Sequence, residues 1–255
     1  MIKIDIKEIV NIAVLAGEAI LEVYHASVPA EVILKADNSP LTLADQRSHA
    51  VIMEGLTRLY PDIPVLSEEG SQIDYEIRKN WTRYWCVDPL DGTKEFIKRN
   101  GEFTVNIALM ENNKPVLGVI YAPVLKDIYY GSITDGSWMQ QPGQEPVQIK
   151  TDALATEWTA IGSRSHADEE EEKVLKQYPV TNKLSIGSSL KFCLIASGKA
   201  QIYYRKGPTM EWDTAAGHAI ALGSGAIMFN ADRTEFIYNK PNLLNPGFFC
   251  MIEQV

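Results

Sequence analysis

Tyr84-Trp-Cys-Val-Asp88-Pro-Leu-Asp91-Gly-Thr93 runs four apolar residues straight into two carboxylates and a glycine. The apolar run reads as a buried strand. Pro89 is expected to stop that strand and Gly92 to permit a tight turn, so that Asp88 and Asp91 curl around one point. The Leu90 carbonyl, exposed in the same turn, would add a neutral oxygen.

Two further acidic clusters stand at the ends of apolar stretches: Ser67-Glu68-Glu69 after Ile63-Pro-Val-Leu66, and Trp212-Asp213 opening a helix. Taken singly, each has an ordinary structural reading. Glu68-Glu69 is a solvated turn, Asp213 a helix N-cap, and Asp45 an N3 acid facing a helix dipole. Taken together, four or five carboxylates drawn to one place cost several kcal/mol in repulsion and desolvation unless a cation sits among them. Hard divalent ions held by oxygen supply that charge, and Mg²⁺ suits a site completed by phosphate. Asp88 is placed to bridge two ions held on their other sides by Glu68 and by Asp91 with Asp213.

Outward from these clusters the periodicity divides the chain. Apolar positions from Ile6 to Tyr24 recur at helical steps, and a second helix begins at Thr42, an N-cap with Asp45 three residues on, and ends before Pro61. Arg83–Val87, Phe103–Met110, Pro115–Val124 and Ile128–Ile133 read as strands of an antiparallel meander, with turns at Asn112-Asn113-Lys114 and Thr134-Asp135-Gly136-Ser137. Beyond residue 150 strands alternate with helices from Asp168, Ser188 and Asp213. The expectation is an α/β (α+β) fold in two subdomains that share a core. Residues 1–140 hold the helix pair and the sheet with most metal ligands, and 141–255 the α/β part with the substrate-binding residues. Glu169–Glu172 reads as a solvated helix face and Cys193 as packing.

With 255 residues, 45% of them hydrophobic and 22% charged, the chain can bury a sizeable core and lies far from disordered compositions. Three cysteines without CxxC spacing argue against a disulfide framework or structural zinc and for a cytoplasmic setting. The net charge of −9 disfavours a nucleic-acid polymer as partner. The N-terminus lacks the apolar core of a signal peptide, and no apolar run reaches the ~20 residues of a transmembrane segment.

The segment ending Asp88-Pro-Leu-Asp91-Gly-Thr93, with Glu68-Glu69 before it and Trp212-Asp213-Thr-Ala-Ala-Gly217 after it, resembles the signatures of the inositol monophosphatase superfamily. The resemblance runs from the first helix to Asn245-Pro-Gly247. It implies a layered αβαβα sandwich of the inositol monophosphatase and fructose-1,6-bisphosphatase type. It also implies two or three Mg²⁺ ions on Glu68, Asp88, the Leu90 carbonyl, Asp91 and Asp213, a Thr93–Asp45 pair that orients and deprotonates the attacking water, and inhibition by Li⁺. Within the superfamily, Lys35-Ala-Asp-Asn-Ser-Pro40, Lys94 to Thr104, Ser163-Arg-Ser-His166 and Ser185 to Lys191 resemble the bacterial 3′(2′),5′-bisphosphate nucleotidases.

That likeness implies adenosine 3′,5′-bisphosphate as substrate. Glu68, Gly92, Thr93 and Asp213 would lie against it and His166 would border the adenine. In physical terms, Gly187-Ser188-Ser189 opens a helix with exposed N–H groups, Lys191 adds a mobile positive charge, and Arg205 offers a fork for a second phosphate. The alternatives are an inositol or sugar monophosphatase with the same metals and, from another class, a non-catalytic nucleotide- or metal-binding regulator. Members of the superfamily are cytoplasmic or peripheral on the inner membrane, and the sequence leaves the oligomer open.

Overall fold

The computed structural model describes residues 3–26, 32–34, 40–70, 73–163 and 169–253. Helix α1 (Ile6–Tyr24) starts where the Asp5 side chain accepts the Lys7 N–H at 3.0 Å, and it buries Ile9, Ile12, Ala13, Ala16, Ile20 and Val23, which recur at helical spacing. Strands β1 (Val32–Leu34) and β2 (Pro40–Thr42) form a short antiparallel pair. Helix α2 (Leu43–Leu59) begins with the expected capping box between Thr42 and Asp45.

A seven-stranded sheet follows, built from β3 (Val65–Ser67), β4 (Arg83–Asp91), β5 (Thr104–Glu111), β6 (Lys114–Ala122), β7 (Asp127–Ser132), β8 (Gly136–Gln140) and β9 (Val147–Ile149), in that spatial order. β3 runs parallel to β4, and the other pairs are antiparallel. The short helices α3 (Tyr75–Arg78) and α4 (Thr93–Ile97) flank β4 in sequence. The meander is as expected, with both residues of the Asn112-Asn113 turn at positive φ.

The remaining elements are β10 (Trp158–Ser163), α5 (Glu169–Leu175), β11 (Val180–Ile186), α6 (Leu190–Ala196), β12 (Ile202–Arg205), β13 (Thr209–Met210), α7 (Glu211–Gly223), β14 (Ala226–Asn230), β15 (Leu244–Asn245) and β16 (Phe248–Ile252). A five-stranded sheet has the order β11-β10-β12-β16-β14, parallel around β10 and antiparallel around β16. β13 and β15 pair separately.

Three apolar clusters show how the layers stack. One joins α1 and α2 to a face of the large sheet through Trp85, Val87, Val105 and Ile107. The next fills the space between the two sheets, where α6 and α7 supply Phe192, Ile195, Ala216 and Ile220. The third covers the outer face of the small sheet with Leu175 of α5 against Trp158 and Ile202. The order is therefore helix, sheet, helix, sheet, helix, as the resemblance implies. Helix α7 approaches β6 so closely that a Cβ at Gly118 would collide with the Ala216 carbonyl.

Several local expectations are corrected. α7 begins at Glu211, so Asp213 is its N3 residue rather than its N-cap, and its Oδ2 accepts the Met210 N–H at 2.7 Å. α5 is not solvated throughout. Glu171 is buried and accepts the Lys206 N–H at 3.0 Å, because one side of the helix faces β12.

Candidate active site

The parallel pairing of Ser67 with Val87 sets the 3₁₀ turn Glu68–Gly70 beside Asp88. α7, packed on the same sheet, brings Asp213 from the other half of the chain. Carboxylate oxygens of Glu68, Asp88 and Asp213 lie within 4.8 Å of one another.

Burial, followed by the charges of Glu68, Asp91 and Asp213, raises the Asp88 carboxyl well above its ordinary range. Burial and the charges of Asp91 and Glu68 do the same to Asp213. Asp91 stands beside this trio. Burial pushes it up to about 6, against the opposing influence of the Lys191 charge and hydrogen bonds from the Asn106 side chain and the Ser189 N–H. Buried carboxylates gathered at one place call for a positive counter-charge, which a bound cation supplies. All the donors are hard oxygens, so the residues fit Mg²⁺.

Pro89 does not stop β4. The strand continues to Asp91, and pairing with β5 passes from Asp88↔Asn106 to Asp91↔Thr104 across a bulge. The missing proline N–H falls within the bulge, where no ladder bond is required. There the Leu90 N–H donates to Asp88 Oδ1 at 3.0 Å, and Ser48 Oγ donates to the Pro89 carbonyl at 2.6 Å. Gly92 then takes φ +95°, as the turn reading requires.

Thr93 follows at the start of α4. Its hydroxyl lies 3.3 Å from Asp45 Oδ1 and 3.5 Å from the Leu90 carbonyl. Asp45 Oδ2 accepts the Thr42 N–H at 2.8 Å and the Thr42 hydroxyl at 2.6 Å. Burial raises the Asp45 carboxyl, partly offset by these Thr42 bonds. The two readings of Asp45, helix cap and partner of Thr93, are both realised, one on each oxygen.

The C-terminal side of the cleft differs from expectation. α6 starts at Leu190 with Ser189 as N-cap, and the N–H groups of Gly187 and Ser189 are engaged. That of Gly187 donates to Glu102 Oε2 at 2.8 Å, and that of Ser189 to Asp91. Lys191 is not a mobile surface cation. It is 8% exposed, and its ammonium donates to the carbonyls of Ser188 at 2.7 Å and Ile186 at 3.3 Å while lying over the Tyr203 ring. Burial lowers its pKa to about 8.

Arg205 ends β12 with Nε donating to the Gly207 carbonyl at 2.8 Å. One cleft is lined by Asp91, Gly92, Ser188, Lys191, Arg205 and Asp213. His166 and Lys35–Ser39 lie outside the described residues. Glu102, Asn106 and the Ser189 side chain were not anticipated. Asn106 left a signal, since it is a polar residue in the apolar run from Val105 to Met110.

The model of the inositol monophosphatase family matches residues 5–247. The chain belongs to the inositol monophosphatase family. A relative in this family, the 3′(2′),5′-bisphosphate nucleotidase CysQ of Salmonella typhimurium, is 51% identical over 245 residues, covering 95% of this chain and 98% of that protein. The CysQ of Haemophilus influenzae is 36% identical over 98% of this chain and 93% of its own length. Among solved structures, CysQ from Bacteroides thetaiotaomicron, described as a bacterial member of the inositol monophosphatase family, superposes with TM-score 0.85 at 42% identity, covering 98% of this chain and 97% of that one. An inositol monophosphatase from Thermotoga maritima shares the family fold at TM-score 0.78 and 20% identity, over 96% of this chain and 91% of that one.

Proposed function

We propose that this protein is a Mg²⁺-dependent 3′(2′),5′-bisphosphate nucleotidase that hydrolyses the 3′-phosphate of adenosine 3′,5′-bisphosphate to give AMP and phosphate. The reading is carried by nucleotidase-named relatives at 51% identity over nearly the full length of both chains, together with the carboxylates of Glu68, Asp88 and Asp213 within 4.8 Å.

Glu68, Asp88, Asp91, Asp213 and the Leu90 carbonyl would hold two or three Mg²⁺ ions. When bound, these supply charge that stabilises the phosphoryl oxygens in the transition state and acidify the attacking water. The protein's own part is positioning and proton transfer. Thr93 Oγ1 accepts a proton from the water as its own proton passes to Asp45 Oδ1. Burial keeps Asp45 more basic than an exposed aspartate, which favours that transfer. Meanwhile Oδ2, fixed by two bonds from Thr42, prevents the carboxylate from turning away.

Arg205, which lines the same cleft as Gly92, Ser188 and Asp213, offers the bisphosphate a positive charge for its second phosphate. In this reading residues 1–140 supply most ligands of the metals, and 141–255 supply Asp213 and further substrate contacts. No described helix is long and apolar enough to cross a membrane, and the setting we assign is the cytoplasm. Phosphate release by the purified protein from adenosine 3′,5′-bisphosphate and from inositol 1-phosphate, with and without Mg²⁺, tests the assignment. Preference for the inositol ester would replace it with a general monophosphatase.

A further inference from the structure

In the middle layer between the two sheets a buried polar cluster stands next to Asp91. Residues of β5 alternate in direction, so Val105, Ile107 and Leu109 face α1 and α2, while Thr104, Asn106, Ala108 and Met110 face the middle helices. Thr104, Asn106 and Ser189 are 0%, 1% and 1% exposed. The register of β4 on β5 sets Asn106 opposite Asp88 and Thr104 opposite Asp91.

The hydrogen bonds among these groups have one consistent direction. Ser189 Oγ donates to Asn106 Oδ1 at 2.7 Å, so in the 2.8 Å contact between Thr104 and Ser189 the threonine is the donor. With its oxygen engaged, Asn106 presents Nδ2 to Asp91 Oδ2 at 3.3 Å. Asp91 also receives the backbone N–H of Ser189. Both of these bonds therefore depend on where Ser189 sits. Ser189 in turn caps α6 and follows Ser188, a non-glycine residue at φ +50° whose carbonyl takes the Lys191 ammonium.

We propose that Asn106 and Ser189 form a positioning relay that ties the 187–191 loop to Asp91, so that metal affinity and the grip on the bisphosphate are set together. The inference rests on Asp91 being a metal ligand in the reading above. Removing Ser189 Oγ leaves the Asn106 oxygen buried without its partner. The amide is then free to turn its donors away from Asp91, and the loop loses its anchor on β5. Partners of this kind behind a metal-binding carboxylate change affinity about 10- to 100-fold when removed.

The test uses the full-length, metal-free protein and measures Mn²⁺ binding by the electron paramagnetic resonance of free Mn²⁺, without substrate. KM for adenosine 3′,5′-bisphosphate is then measured at saturating Mg²⁺. Ser189→Ala and Asn106→Leu are each expected to weaken Mn²⁺ binding about tenfold and to raise KM, with the double variant no worse than the poorer single one. Thr104→Val, which removes only the outer donor, should lower thermal stability and leave the Mn²⁺ Kd within about twofold of wild type, which separates positioning from structural support. Should either variant not fold, Asn106→Ser, still able to hydrogen-bond within the cluster but too short to reach Asp91, gives the same readout.

Variants that fold and bind Mn²⁺ as wild type does would overturn the relay alone. A double variant showing the product of the single losses would overturn the coupling. A wild-type protein that binds no Mn²⁺ would overturn the metal reading and the relay with it.

Discussion

Thr93 Oγ1 lies 3.3 Å from Asp45 Oδ1, while the opposite oxygen of the same carboxylate closes the N-terminal cap of α2. One side chain thus joins the start of a helix to the start of the β4–α4 turn. Its orientation follows from where α2 begins.

Thr93→Ala and Asp45→Asn are each expected to lower kcat by about 10²–10⁴, the range for losing a group that positions and deprotonates the attacking water. The two act through one proton path, so the double variant should be no slower than the slower single one. Steady-state rates of the four proteins decide this, and multiplicative losses would separate the residues.

Metal dependence should appear in stability as well as in rate. Burial and mutual repulsion raise the carboxyls of Asp88 and Asp213 above their ordinary value of 3.8. A carboxyl raised on folding contributes stability that is full below its unfolded value and is lost as pH rises through its folded one. The metal-free protein should therefore lose stability from these groups as pH rises above about 4. Added Mg²⁺ should raise Tm more at pH 8 than at pH 5. Asp88→Asn should raise the metal-free Tm at pH 8, abolish most of the Mg²⁺ increment, and cost kcat at least ~10³.

His218 should act in the opposite sense. It is fully enclosed, its Nδ1 lies 3.0 Å from the Tyr238 hydroxyl, and burial lowers its pKa to about 3. The unfolded chain then binds a proton that the folded chain refuses. Below about pH 6.5 this group should remove on the order of 1 kcal/mol of stability per pH unit. Urea unfolding of wild type and His218→Gln between pH 7 and 5 should show the shallower fall in the variant, and parallel curves would refute the assignment.

On the substrate side, Arg205→Ala should lower kcat/KM for adenosine 3′,5′-bisphosphate by ten- to a hundredfold, since a charge-assisted hydrogen bond contributes about 1.5–3 kcal/mol. Inositol 1-phosphate turnover should change little. Lys191→Ala should reduce both activities, because its ammonium is spent on the carbonyls of Ile186 and Ser188 and supports the loop itself. Equal losses on both substrates in Arg205→Ala would remove the second-phosphate role.

The sequence by itself determined what depends on near neighbours. The apolar stripe of α1, the Thr42–Asp45 cap, the Asn112-Asn113 turn and the positive φ of Gly92 each follow from residues a few positions apart, where side-chain spacing and backbone sterics act directly. The motifs also marked the acids, since carboxylates at the ends of apolar runs need an explanation beyond folding.

Tertiary structure decided what depends on packing between layers. Asp213 comes to within 4.8 Å of Glu68 and Asp88 only because α7 lies against the large sheet, and the close approach at Gly118 permits that contact. Lys191 reads in sequence as an exposed cation, but the middle layer buries its stem and its ammonium turns to the nearest carbonyls. The N–H groups of Gly187 and Ser189 look free in the chain, yet they are engaged by Glu102 and Asp91 from the other half. A buried polar group must find a partner wherever packing places one, and that partner's distance along the chain carries no local signal.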